Sequence, residues 1–109
     1  MQVTLYENKT DKVHTTITAI LEYGKLIISG YDQYQPSIAV PEGSEYEYET
    51  YLDMQSTNEI FDLLGVNGSD QEKLDRILQE FGGERADIRF QAFCFANQIE
   101  LYCSSNFED

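Results

Sequence analysis

Side chains that can do catalytic chemistry are few in this sequence. His14 is the only histidine, and it falls on the mostly polar side of a predicted strand, where an ordinary solvent-facing role is expected. Cys94 and Cys103 stand among Phe, Leu and Tyr residues, where a thiol usually serves as a small core hydrophobe. Nucleophilic catalysis needs a base beside the thiol, and the sequence places none there. We therefore expect no catalytic residue and no enzyme activity.

Motifs for metal ions and cofactors are also missing from the sequence. A single histidine without a cysteine cluster does not make a zinc site, and residues 67–70 lack the ligand register of a calcium loop. Gly82 and Gly83 stand outside any phosphate-binding motif. Among 20 acidic residues some carboxylates always lie close together, so such pairs do not indicate acid–base catalysis. The expectation is no metal and no cofactor.

The acidic charge is the strongest signal in the composition. The net charge is −13, and no basic residue occurs between Lys25 and Lys73. Such a field repels nucleic acid and anionic membranes, and it attracts basic proteins. We expect a basic protein partner, no nucleic acid and no membrane, with solubility as the alternative explanation of the charge. Ten carboxylates lie in the stretch without a base: Asp32, Glu42, Glu45, Glu47, Glu49, Asp53, Glu59, Asp62, Asp70 and Glu72.

The hydrophobic pattern also bears on where the protein acts. The first residues, MQVTLYENKTDK, lack the apolar run of a secretion signal. No apolar run in the chain approaches the roughly 20 residues of a membrane span. A cytoplasmic location is the expectation.

The first half of the chain has the alternating pattern of β-strands. Residues 13–23 alternate apolar and polar side chains and are rich in β-branched types. Gly24 suits a tight turn, after which the next strand begins. The prolines of residues 32–44 indicate a loop. Together with a short strand near the end of the chain, the pattern predicts five strands, at about 2–7, 13–23, 25–31, 45–53 and 99–104.

Helical spacing follows in the second half. Capping boxes begin at Ser56 and at Ser69, each with a glutamate three residues later. Gly65 ends the first helix, and Gly82 ends the second. Asp87 is a candidate cap for a third helix through Ala96, although a strand is the competing interpretation of that segment. The predicted helices cover about 57–64, 70–81 and 87–96, with Asn97 as a left-handed terminator of the last.

These elements predict a single α+β domain over residues 1–109. An antiparallel β-meander of four or five strands packs against two or three helices. The predicted core consists of Ile17, Leu21, Ile28, Leu52, Phe61, Leu64, Leu74, Ile77, Leu78, Phe81 and Phe90.

The candidate site is the predicted strand 45–53, in which glutamate and tyrosine alternate. Carboxylates are too costly to bury unpaired, so their face of the strand must be exposed. One interpretation is a recognition face with Tyr51 as an aromatic anchor. The alternative is an edge or outer strand that charge keeps from pairing with other chains. The candidate partner-binding residues are Glu42, Glu45, Glu47, Glu49, Tyr51 and Asp53.

In size, acidity, β-meander, carboxylate strand and capped helices, the chain resembles the immunity proteins of bacterial polymorphic toxin systems. The resemblance implies a cytoplasmic protein that binds and blocks one cognate toxin, often a basic nuclease, and it assigns no individual residue. DNA-mimicking inhibitors, including those of phages, have a similar composition and remain an alternative. A second alternative is a scaffold subunit that self-associates through Tyr31, Tyr34 and Tyr51. The oligomeric expectation is a monomer or a homodimer.

Overall fold

The computed structural model describes residues 1–108, which form five strands and three helices. The expected α+β architecture is confirmed. The strands are β1 (Gln2–Lys9), β2 (Val13–Glu22), β3 (Lys25–Tyr34), β4 (Ser44–Tyr51) and β5 (Tyr102–Glu108). The helices are α1 (Met54–Leu64), α2 (Asp70–Phe81) and α3 (Ala86–Ala96).

The strands make one antiparallel sheet in the order β1-β2-β3-β4-β5. The connection between β2 and β3 is a two-residue turn, in which Tyr23 and Gly24 have φ values of 53° and 74°. Positive φ at both central residues is the geometry that matches the twist of a hairpin. After β4 the chain forms all three helices and then returns as β5 beside β4, so β4 is an inner strand.

All three helices lie on one face of the sheet. α2 packs on β1 and β2, while α1 and α3 contact β3. Alternate strand residues such as Ile17, Ala19 and Ile28 face these helices and are buried with their apolar side chains. Ten of the eleven predicted core residues are buried. Leu78 is the exception at 38% exposure, because the buried stripe of α2 runs through Leu74, Ile77 and Phe81 and leaves Leu78 at its margin.

The helix beginnings confirm one predicted cap and correct another. Ser69 and Glu72 form the expected capping box of α2. Ser56 does not cap α1, because Asp53 does so three residues earlier by accepting a hydrogen bond from the Ser56 amide at 2.8 Å. Ser56 is instead buried within the first turn, beside Thr57, whose hydroxyl accepts a hydrogen bond from the amide of Leu26.

The third helix is confirmed, but its ends differ from the prediction. Asp87 lies in the first turn, and the preceding cap position belongs to Arg85, which has φ of 60° and makes no side-chain capping bond. The left-handed residue at the other end is Gln98 and not Asn97. The Ile99 amide then donates to the Cys94 carbonyl, which closes the helix and buries the Ile99 side chain. For this reason the last strand begins at residue 102 and not at 99.

The helices cover only part of their side of the sheet. Ile17, Ala19 and Leu21 of β2 are buried, whereas Val13 and Thr15, further along the same face, are only half-buried. The described molecule is correspondingly elongated, with extents of 49 × 25 × 22 Å. The uncovered end of this face forms the floor of a groove beside the start of α3.

Candidate functional site

No element formed by the described residues covers the face of the sheet opposite the helices, and we call this face the open face. Its side chains are the alternate strand residues that point away from the helical layer. None of the described side chains on this face is buried. A sheet with one packed face and one uncovered face gives the in–out alternation that the strand patterns of the sequence indicated.

Three glutamates stand in a line along β4 on the open face, and we call them the acidic column: Glu45, Glu47 and Glu49. On the side of β3 the strand residues beside them are uncharged: the cross-strand partners are Gln33, Tyr31 and Ser29. On the side of β5, Glu47 and Glu49 lie opposite Asn106 and Ser104, and Glu45 is paired with a further carboxylate residue, Glu108. Among the described residues, no Lys, Arg or His forms an ion pair with the acidic column.

The position of β4 bears on the alternative explanation of its carboxylates. β4 is paired along its length with β3 on one side and with β5 on the other. It therefore offers no free edge, and the interpretation as a charge-protected edge strand is wrong for the acidic column.

The charge of the acidic column acts on its neighbour Tyr31. The pKa of Tyr31 is raised, and the largest cause is a hydrogen bond with the Glu45 carboxylate. Desolvation and the negative charges of Glu45 and Glu47 raise it further. The Tyr31 hydroxyl therefore stays protonated and remains a hydrogen-bond donor within the acidic surface.

An apolar row crosses the open face at the end of the acidic column. It consists of Ile20, Ile27, Tyr51 and Tyr102, which are neighbours on four adjacent strands. Tyr51 is 36% exposed and Tyr102 is 54% exposed. The structure thus places Tyr51 next to the carboxylates of β4, as the alternation of the sequence predicted. Tyrosine is among the residue types that most often contribute the largest share of binding energy at protein interfaces.

The two remaining candidate residues lie outside the acidic column. Glu42 belongs to the loop before β4 and lines a shallow depression together with His14 and Glu45. Asp53 follows β4 and serves as the N-cap of α1. The structure therefore brings Glu45, Glu47, Glu49 and Tyr51 onto one surface, with Glu42 at its margin, and gives Asp53 a structural role.

A groove of about 710 Å³ lies on the other side of the sheet, between its uncovered end and the start of α3. Tyr48 lies across Gly30, where an added Cβ would approach its ring to 1.8 Å. The Tyr48 hydroxyl donates to Asp32 at 3.1 Å, and the Tyr46 ring lies 5.2 Å away. Burial, together with the charge of Asp32, raises the pKa of Tyr48 above its usual value.

The acidic character of this groove could not be read from the sequence. Asp32 comes from β3, whereas Asp87 and Glu84 come from the start of α3, and these carboxylates outnumber Arg85, the one basic residue among the described residues that line the groove. Only the packing of α3 against the sheet brings them together. The one local signal is Gly30, since a glycine within a strand often marks a close approach of another group.

The candidates for chemistry are spread over the molecule. His14 lies on the open face and pairs with Glu7 at 2.8 Å. Cys94 is buried in α3, and burial raises its pKa to about 12. Cys103 was expected in the core, but it is exposed, because it lies on β5, the edge strand of the sheet. Its thiol, 3.9 Å from the Thr50 hydroxyl, lies on the opposite side of the sheet from His14.

The described part of the chain contains neither a candidate metal centre nor a membrane-spanning helix. Over residues 1–108, no three His, Cys, Asp or Glu side chains gather in a way that could hold a metal ion. Of the helices that the structure describes, none has the length and apolar character to cross a membrane. Comparison of the chain with protein-family models, with curated proteins and with solved structures finds no match.

Proposed function

We propose that this protein binds a basic partner protein through the open face of its sheet and thereby inhibits that partner. The acidic column supports the proposal most strongly, because it places three carboxylates in line on an inner strand. Among the described residues, no basic side chain forms an ion pair with them. Like charges that repel each other in the free protein gain an attractive counterpart when a basic surface docks on them.

The placement of these charges argues for recognition over solubility alone. Solubility is favoured by charges dispersed over the surface, and it does not require three of one sign in line. Successive residues on one side of a strand stand about 7 Å apart, so the column presents a regular row of acceptors. The apolar row beside it supplies the exposed aromatic anchors, Tyr51 and Tyr102, that a charged surface lacks.

Within this proposal, the partner class we favour is a toxin, which makes the chain an immunity-type protein of a bacterial toxin system. A nuclease is basic where it holds its nucleic acid, so an acidic row complements such a surface. We place the complex in the cytoplasm, where a toxin that attacks nucleic acid meets its target. The chain itself has no catalytic role in this scheme.

The proposal is tested by affinity capture from a lysate of the source cells with three baits. These are the wild type, the open-face variant Glu45→Lys/Glu47→Lys/Glu49→Lys and a control variant Glu59→Lys/Asp62→Lys/Asp75→Lys. The control changes the net charge equally, but its exposed side chains lie on α1 and α2. We expect one basic protein to bind the wild type and the control, to leave at high salt and to be missed by the open-face variant.

Other outcomes of the same capture would replace the proposal. Loss of the partner with both variants would show that total charge matters and that the open face does not. Recovery of many DNA-binding proteins would favour the DNA-mimicking alternative. Recovery of the protein alone, together with a dimeric mass in solution, would favour the self-associating scaffold, for which Tyr31 and Tyr51 lie on the open face and Tyr34 on the opposite one.

A further inference from the structure

The two edges of the sheet differ in how they are protected. On β1 the strand is bulged between Thr4 and Tyr6, and the Leu5 carbonyl accepts a hydrogen bond from the Gly83 amide at 2.9 Å. A bulge and a covering loop are two of the ways in which proteins prevent pairing at an edge. On β5 neither is found in the described residues. Its sequence is YCSSNFE, with its only charged residue at the end, and in residues 1–108 no strand lies on its outer side.

The register shows which backbone groups of β5 point outward. The Leu52 amide donates to the Leu26 carbonyl, so the even-numbered residues at the end of β4 bond towards β3 and the odd-numbered ones bond towards β5. Tyr102 and Ser104, which are paired with odd residues of β4, therefore bond inward. The N–H and C=O groups of Cys103, Ser105 and Phe107 consequently point to the free edge, where the described residues supply no backbone partner for them.

We infer that this edge receives an extended, basic segment of the partner, which adds to the sheet as a sixth strand beside β5. The inference rests on the proposed function and extends it, because it names how the partner is held. Backbone hydrogen bonds to Cys103, Ser105 and Phe107 supply the affinity in such a strand addition, and alternate side chains supply the specificity.

On the open face, alternate side chains of the added strand would lie beside β5. The acidic column is two strand spacings away, about 10 Å, and Ser104 is the short side chain between Glu49 and the added strand. A lysine or arginine can extend over such a small side chain with its apolar stem and place its charge among the carboxylates.

On the other face, the remaining side chains of the added strand would enter the groove. Ser105 and Cys103 line the groove at its β5 side, and Asp32 and Asp87 line it further in, where the carboxylates outnumber Arg85, the one arginine among the described lining residues. The Tyr48 and Tyr46 rings form an aromatic wall there, against which a guanidinium can stack. Both faces of the edge thus select basic side chains, and this is why we assign the edge to a basic segment and not to a second copy of a chain with net charge −13.

Amide hydrogen exchange by NMR tests the inference with a defined probe. The probe is a synthetic peptide as long as β5 that alternates arginine with threonine, and its control is the same peptide with glutamate in place of arginine. We expect the arginine peptide to slow exchange at Cys103, Ser105 and Phe107 at least tenfold, while Ser104 changes little because β4 already protects it. Protection without this alternation, or equal binding of the glutamate peptide, would overturn the inference.

A pair of variants at one position separates backbone pairing from side-chain contact. Ser105→Pro removes an outward N–H and leaves the bonds to β4 intact, whereas Ser105→Ala keeps the N–H. We expect Ser105→Pro to weaken binding of the arginine peptide at least tenfold and Ser105→Ala to leave it unchanged, with far-UV circular dichroism and melting curves to confirm folding of both. Equal affinity of the two folded variants would contradict the inference.

The outcomes also distinguish this inference from the function on which it rests. If the captured partner is lost with the open-face variant but still binds Ser105→Pro, the acidic face is the binding site and strand addition is wrong. If the same alternating protection appears in the protein alone as its concentration rises, a second copy occupies the edge, and the assignment to a basic partner segment is overturned.

Discussion

At the scale of single residues, Asp53 was predicted to bind a partner, but its carboxylate caps a helix. The sequence placed it among the partner-binding residues, and the structure shows it capping α1 through the Ser56 amide. We predict that Asp53→Ala lowers the free energy of unfolding by about 1 kcal/mol and that Asp53→Asn, which keeps a capping oxygen, lowers it much less. Urea denaturation measures both, and equal losses would contradict the capping role.

Tyr48 gives a second prediction at this scale, in the alkaline range. Because burial and Asp32 raise its pKa in the folded state, the unfolded chain ionises first, near pH 10. The stability that the neutral hydroxyl contributes is present below that pH and is lost as the pH rises further. Tyr48→Phe should therefore lose less stability between about pH 9 and pH 11 than the wild type does.

The matched control for Tyr48 is Tyr23→Phe. Tyr23 is 92% exposed in the turn between β2 and β3, so its variant should follow the wild type in urea midpoints across this pH range. A Tyr48→Phe curve that runs parallel to that of the wild type would show that ionisation of Tyr48 is not coupled to folding.

At the scale of elements, Gly30 of β3 and Tyr48 of β4 are paired across the two strands and lie in close contact. Alanine at Gly30 would place its Cβ 1.8 Å from the Tyr48 ring, which must then move. Glycine-to-alanine changes at unstrained sites usually stabilise a folded protein, so a loss of stability at Gly30 would indicate a steric conflict with the Tyr48 ring. We predict that Gly30→Ala lowers the free energy of unfolding by about 1–3 kcal/mol.

Two further variants make the Gly30 prediction specific. Ser29→Ala changes the neighbouring residue on the open face and should have little effect. Gly30→Ala should lower the free energy of unfolding less in a Tyr48→Ala background than in the wild type, because the ring that the new Cβ would meet is absent. Thermal denaturation of the wild type, Gly30→Ala, Tyr48→Ala and the double variant tests the contact. If the stability losses of the two single variants add up to that of the double variant, the contact is not responsible.

The sequence predicted the start of a helix correctly where there was one candidate capping residue, and wrongly where there were two. Ser69 and Glu72 had no rival, and α2 begins where they indicated. Asp53 and Ser56 are both capping residues three positions apart, and the choice between them depends on where β4 ends and Leu52 becomes buried. The start of β5 was missed for a similar reason, because Ile99 is buried as part of the helix end.

At the scale of the whole molecule, the sequence indicated which β4 side chains share a face, but it could not show what surrounds them. Alternation placed Glu45, Glu47 and Glu49 together, and the structure does the same. The inner position of β4 depends on β5 returning from the end of the chain, and the uncovered face depends on all three helices packing on one side. The groove likewise needs distant segments to meet. These are consequences of tertiary packing, which local patterns do not encode.

The central claim is that the acidic column binds a basic partner, and the affinity of the open-face variant for the captured partner tests it most directly. Calorimetry at several salt concentrations would compare Glu45→Lys/Glu47→Lys/Glu49→Lys with the control Glu59→Lys/Asp62→Lys/Asp75→Lys. We predict that the open-face variant loses at least about 100-fold in affinity and most of its salt dependence, while the control stays close to the wild type. Equal affinities of the two folded variants would contradict the claim.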